Sequence, residues 1–201
     1  MFYYTSDLHI GCKNSFENRT LKHDQVIIDN WNKVVHNDDT VFILGDIGRL
    51  GNNKDNAYVA SIISQLKGHK VLIIGNHDQQ GIKDNRILQL FTEITPYKEI
   101  IDNFNGKNHN LVLSHYPIYS WNGAYKGWIH LYGHTHNNFD HLMFQETLQK
   151  LRDKIHELNI DAEMNNNPRF KAEPYAYNVG CMLWNYTPVT LKEVLRRDNN
   201  D

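Results

Sequence analysis

The 201-residue chain has little cysteine. Its two, Cys12 and Cys181, stand far apart in sequence, which excludes a disulfide scaffold and a four-cysteine zinc site. No secretory signal is expected, because Asp7 and His9 interrupt the first strand-like residues, so reduced thiols and a cytoplasmic setting are the expectation. Long hydrophobic runs are missing too. Val41-Phe42-Ile43-Leu44 and Val71-Leu72-Ile73-Ile74 are typical of the longest, whereas a membrane-spanning helix needs roughly 20 apolar residues. Nor is there an excess of one charge: Lys and Arg total 21 against 23 Asp and Glu, a net of −2. That disfavours nucleic-acid backbone and anionic membrane as main partners.

Hydrophobic residues make up 40% and charged residues 22%, ordinary values for a globular protein. The length suits a single domain over 1–201. Histidine stands out, with 12 copies, several of them in tight polar clusters.

The first two-thirds alternates short apolar runs with amphipathic stretches. Strands are expected at 2–6, 41–44 and 71–74, and helices at 21–35, 54–66 and 83–91, with Gly68 as a left-handed stop after the second helix. Asn105-Gly106, between apolar runs at 97–104 and 110–114, signals a hairpin. Further strands are expected at 128–132 and 175–184, and a short helix at 191–195. This order predicts a mixed α/β sheet system with helices outside. Phe144, Leu148, Leu151, Ile155 and Leu158 form a narrow stripe, predicting a helical insertion near 140–173 that ends at Asn165-Asn166-Asn167-Pro168. The stripe is expected to pack on its own domain, with a dimer contact or a lid as alternatives. His130 is expected to face solvent or the hairpin.

Five segments share one design, an apolar strand followed by metal-ligand residue types: Asp7-Leu8-His9, Gly45-Asp46, Gly75-Asn76-His77-Asp78, His115, and Gly133-His134-Thr135-His136. In open α/β sheets ligands collect beyond the carboxyl ends of strands, so these loops are expected to converge. Glycines at 45, 75 and 133 suit tight turns and close backbone approach. Asp7, His9, Asp46, Asn76, His115, His134 and His136 offer only oxygen and imidazole nitrogen, which favours Mn, Fe or Zn over a soft metal. Seven ligands exceed one tetrahedral zinc and suit two divalent ions with one carboxylate bridging. Such a positively charged pocket calls for an anion, and phosphate esters are the natural substrate class.

The series Asp-x-His, Gly-Asp, Gly-Asn-His-Asp, His, Gly-His-x-His resembles that of the calcineurin-like metallophosphoesterase superfamily over Asp7 to His136. It is most similar to the small bacterial and phage members, to which Thr5-Ser6-Asp7-Leu8-His9-Ile10-Gly11, Ser114-His115-Tyr116-Pro117, Ser120-Trp121-Asn122-Gly123 and Asn178-Val179-Gly180 also point. The resemblance implies a two-sheet β-sandwich core flanked by helices, with metals at one edge. It implies Asp7, His9 and His136 on a first metal, Asn76, His115 and His134 on a second, and Asp46 bridging. Manganese comes first among the metals, with iron, zinc or nickel as alternatives. It further implies in-line attack of metal-bound hydroxide on a small phosphorylated or nucleotide substrate, phosphodiester or phosphomonoester, with His77 as the non-ligand acid at the leaving oxygen. Asp78 is expected to orient a ligand from behind or to cap its own turn. Arg49 could grip phosphate or be an ordinary exposed arginine, and Trp121 could stack on a ring, though ordinary packing is the stronger reading. The protein-phosphatase branch has an Asp three places after the bridging residue, where this chain has Arg49, and Cys12 stands where small relatives often have His. The rival reading from another class is a non-catalytic scaffold that keeps this fold to bind a protein partner. Oligomeric state is left open.

Overall fold

A computed structural model describes residues 1–12, 22–164 and 172–197. Two four-stranded sheets form its centre. The first holds β1 (Phe2–Thr5), β2 (Thr40–Ile43), β3 (His69–Ile73) and β4 (Glu93–Thr95), side by side in that order and all parallel. The helices α1 (His23–Val34) and α2 (Asn53–Ile63) connect the first three strands. The second sheet holds β5 (Tyr97–Phe104), β6 (Lys107–Ser114), β7 (Ile129–Tyr132) and β8 (Tyr175–Asn178). Here β5 and β6 form an antiparallel hairpin, and β6, β7 and β8 run parallel. Asn105 (φ 52°) and Gly106 (φ 73°) make its turn, as a two-residue loop with both central residues left-handed requires.

Side chains alternate across the strands and so build three cores. Tyr3, Val41, Ile43 and Leu72 point from the first sheet onto Ile27, Trp31, Val59 and Ile63 of α1 and α2. Tyr4, Phe42, Leu44, Val71 and Ile73 point the other way, onto Leu111, Leu113, Ile129 and Leu131 of the second sheet. Strands covered on both faces read as unbroken apolar runs, which explains 41–44 and 71–74. On the far side of the second sheet, Val112, Tyr132 and Ala176 meet Leu148 of α4 (Phe139–Met164). The result is four layers: helix, sheet, sheet, helix. A last helix, α5 (Leu191–Arg197), places Leu191 and Val194 in the central core.

The stripe on α4 packs inward as expected. Leu148 and Ile155 are buried, and Phe144, Leu151 and Leu158 are half-buried. The expected stop at Asn165–Pro168, the start of the first helix at Leu21 and the end of the insertion before 172 lie outside the described residues.

Three expectations need correction. The helix over 83–91 shrinks to α3 (Asn85–Leu88), because the Asp84 side chain accepts the Arg86 N–H and restarts the helix after a 3-10 turn at Gly81–Lys83. The strand over 175–184 ends at Asn178, whose side chain accepts the Gly180 N–H and turns the chain into a 3-10 segment at Cys181–Trp184. The short edge strand β4 was not anticipated, since three residues carry no periodicity.

His130 is the third correction. It is fully buried in β7. Its Nδ1–H donates to the Val112 carbonyl at 3.0 Å, and its Nε2 accepts the Ile118 N–H at 3.1 Å. Both ring nitrogens are thus used by one neutral tautomer. Burial, only partly offset by hydrogen bonding to the backbone at Val112 and Tyr116, brings its pKa from 6.5 to about 4. Below pH 6.5 the unfolded chain takes up this proton while the folded chain does not until about pH 4. The contribution is therefore fully present above pH 6.5 and is lost as pH falls towards 4, a loss of about 3 kcal/mol. In an NMR titration His130 is expected to stay unprotonated from pH 8 to 5, and a midpoint near 6.5 would contradict this placement.

Candidate metal centre

The parallel strands β1, β2 and β3 end at one edge of the first sheet, and β6 and β7 end together in the second. The five loops that follow them are stitched to one another. Asp7 N–H donates to Gly45 O and His9 N–H to Asp46 O, at 3.0 and 2.9 Å, and Gly133 N–H donates to His115 O at 2.9 Å. The Cys181 thiol donates to Asp7 O, and Asn178 Nδ2–H donates to His136 O at 2.9 Å.

Two groups of side chains converge there among the described residues: Asp7, His9 and His136, and Asp46, His115 and His134. Within each group the candidate ligand atoms lie within 4.8 Å of one another. In the first, His9 Nε2 and His136 Nε2 are 3.1 Å apart, and His136 Nε2 is 3.3 Å from Asp7 Oδ1. In the second, His115 Nε2 is 3.6 Å from Asp46 Oδ1. Asp46 also faces the first group, with its Oδ2 3.9 Å from His9 Nε2. One carboxylate is shared between both groups.

Asn76 joins the second group. His115 Nδ1–H donates to the Leu44 carbonyl at 2.7 Å, so a neutral ring presents the Nε2 lone pair. That lone pair lies 2.9 Å from Asn76 Oδ1. A cation beside this pair would satisfy both acceptors at once. With Asp46 and His134 beside them, the oxygen and imidazole donors fit a divalent metal of borderline hardness.

The backbone carries a second mark of the site. Eight described non-glycine residues have φ above zero, and five are candidate ligands: Asp7 (57°), His9 (46°), Asp46 (55°), His134 (67°) and His136 (47°). Each such residue costs on the order of 1–3 kcal/mol and persists only where its surroundings hold it. Close backbone approach contributes. A Cβ at Gly75 would collide with Asp46 Oδ1, and one at Gly133 with Ser6 Oγ and Asp7 Oδ2. Both positions therefore require glycine.

The charges follow from burial and neighbours. Burial pushes the Asp7 carboxyl up, but hydrogen bonding and charge from His136, with His115 adding, hold it below the usual range. Burial, and then His115, hold His134 below the usual imidazole range.

His77 stands apart from both groups. Its side chain is 62% exposed, and its Nε2 lies 3.9 Å from Asp46 Oδ2. Its backbone N–H donates to Asp46 Oδ1 at 3.0 Å. Asp78 is buried and accepts three backbone N–H groups, from Gly75, Asp46 and Ile47, at 2.7, 2.8 and 2.9 Å. It caps its own turn and holds the Asp46 loop at once. Burial raises its pKa, and the negative Asp46 adds to this against the three amides. Asp78→Ala leaves those amides without an acceptor. It is expected to cost about 3 kcal/mol or more, read by urea unfolding, and a loss under about 1 kcal/mol would contradict the role.

The two candidate substrate contacts differ in their surroundings. Trp121 is only 5% exposed, its indole N–H donates to Trp128 O, and its ring packs against His130. Core packing removes it as a stacking surface. Arg49 is exposed and paired with Asp55 at 3.1 Å. Tyr116 was overlooked. Its ring meets those of His134 and His115 edge-on at 4.5 and 5.1 Å and is 49% exposed. The sequence signal was its place directly after His115. The Asn178-Val179-Gly180 run carries no signal of the grip that Asn178 has on His136.

Fold and site together define an α/β protein of two four-stranded sheets with two His/Asp groups able to hold metal at one edge. No protein-family model matches the chain. It is 32% identical to the Gene 66 protein of Mycobacterium phage L5 over 160 residues, 67% of this chain and 77% of the relative. The chain belongs to the family of that phage protein. An uncharacterized protein of Methanocaldococcus jannaschii is 29% identical over 201 residues, 96% of this chain and 89% of the relative. A solved structure of a protein of unknown function from Aquifex aeolicus shares the fold, with a TM-score of 0.63 at 23% identity and 98% of each chain covered. Among the described residues no helix is long and apolar enough to cross a membrane.

Proposed function

We propose that this chain is a phosphoesterase that works with two divalent metal ions, manganese first, on a small phosphorylated or nucleotide substrate. It is read as one calcineurin-like metallophosphoesterase domain acting in the cytoplasm, with α4 as an insertion. The observation that carries the reading is the Asp46 carboxylate, with one oxygen toward His9 and the other toward His115. That is the placement a bridging ligand needs. Asp7, His9 and His136 would hold one ion, and Asn76, His115 and His134 the other. When bound, the pair supplies charge to neutralise phosphoryl oxygens and to activate water.

The chain's own residues do the rest. Asp78 fixes the Asp46 loop, so the shared carboxylate needs no rearrangement during turnover. The exposed His77 ring stands beside Asp46 and can give a proton to the leaving oxygen. The half-exposed Tyr116 ring offers a flat wall beside His134 for the organic part of the substrate. The scaffold reading would gain from an exposed apolar stripe on α4, but that stripe covers the second sheet.

The test is a panel of nucleotides, cyclic nucleotides, sugar phosphates, a generic diester and a generic monoester, run with Mn, Ni, Zn and Mg separately. Metal-dependent hydrolysis of at least one class is expected. Two bound metals with no turnover across the panel would overturn the reading in favour of the scaffold.

A further inference from the structure

A cleft of about 320 Å³ lies between α4, β8 and α5. It begins at Asn137, one residue after His136, and reaches Arg197. Two guanidinium groups line it, Arg152 from α4 and Arg197 from α5, and no Asp or Glu is among its described lining residues. Arg152 donates to Gln149 Oε1 and Pro174 O and lies 5.2 Å over the Tyr175 ring. Arg197 donates to Leu183 O and lies 4.8 Å over the Trp184 ring. All these partners are neutral. They orient both planar groups, and a guanidinium so held suits a phosphate oxygen pair; Asp153 and Glu173 line the neighbouring hollow that Arg152 also borders.

A third donor faces the same space. Gln145 Nε2–H donates to Tyr132 Oη at 2.8 Å, and Tyr132 O–H then reaches His141 Nδ1 at 3.2 Å. With Nδ1 accepting, a neutral His141 carries its proton on Nε2. Burial, and then the Arg197 charge, hold His141 below the ordinary imidazole range.

We propose that this cleft is a phosphate-binding subsite held by Arg152 and Arg197, distinct from the two His/Asp groups. It shares no residue with them. Asn178 touches both, lining the cleft and donating to His136 O. The proposal rests on the cleft alone and stands whether or not the metal reading does.

The test titrates the full chain, stripped of metal on a chelating resin, with inorganic pyrophosphate at low ionic strength. Calorimetry gives the affinity, and NMR follows the Trp184 indole and His141 ring signals. Saturable binding that shifts both signals is expected. Arg197→Gln and Arg152→Gln should each weaken it about tenfold or more, Arg197→Lys by less, and His9→Ala not at all. Absence of saturable binding overturns the proposal. So does binding in the unmodified chain that leaves the Trp184 and His141 signals still, a reading that requires no variant to fold. Affinity unchanged in both Gln variants, or lost only in His9→Ala, also overturns it.

Kinetics then separates the two sources of such a phosphate, and either result supports the subsite. If it is the substrate's own second phosphate, Arg197→Gln raises KM for a nucleoside diphosphate and not for a simple aryl phosphate. If it is a separate effector, pyrophosphate alters turnover of the aryl phosphate in the unmodified chain and not in Arg197→Gln.

Discussion

Asp46→Ala is expected to abolish turnover, by a factor on the order of a thousand or more, and to weaken both cation positions at once. The carboxylate faces His9 on one side and His115 on the other, so its removal takes a ligand from each group. A factor of a thousand corresponds to about 4 kcal/mol of transition-state stabilisation, within what a metal pair supplies. The paired measurement is metal content by mass spectrometry alongside kcat/KM. His9→Ala, by contrast, should deplete one position more than the other. A variant Asp46→Ala that kept two tightly bound ions would remove Asp46 from the bridging role.

His77→Ala has the second largest expected effect, with the opposite signature. Metal content should hold, because His77 belongs to neither His/Asp group and its side chain is largely exposed. Turnover should fall roughly 10²- to 10⁴-fold with a poor leaving group, the range for a lost general acid. An activated aryl ester, whose leaving oxygen needs no proton, should lose far less. Equal losses on both substrates would contradict the acid's part, because His77→Ala keeps the backbone N–H that donates to Asp46.

Much of this site was legible because its candidate ligands follow apolar strands closely. A strand that ends in Asp46 or His115 fixes where the next residue can go, and parallel strands end on one side. Hence the convergence of seven ligand-type residues spread over 130 positions could be expected from the sequence, whereas their division between two ions was what the family resemblance implied. The residues that escaped are those whose part depends on neighbours from another layer. His130 looks like an outward position in an alternating strand, yet α4 and the segment around Ile118 cover that face. At Trp121 packing was the stronger reading over stacking, and Trp128 and His130 close over the ring. Asp78 was legible as a turn residue, but its hold on three amides from two loops appears only once β2 and β3 lie side by side. The fold followed the same division. Long periodic stretches such as α1 and α4 were read correctly, whereas α3 was shortened by a local cap at Asp84 and β4 was too short to leave a pattern.

The most direct test of the central claim is an anomalous difference map from crystals of the protein grown with manganese. Two peaks are expected, one inside the Asp7, His9, His136 group and one inside the group of Asn76, His115 and His134, with Asp46 touching both. A single peak, or none at this edge of the sheets, would contradict the account.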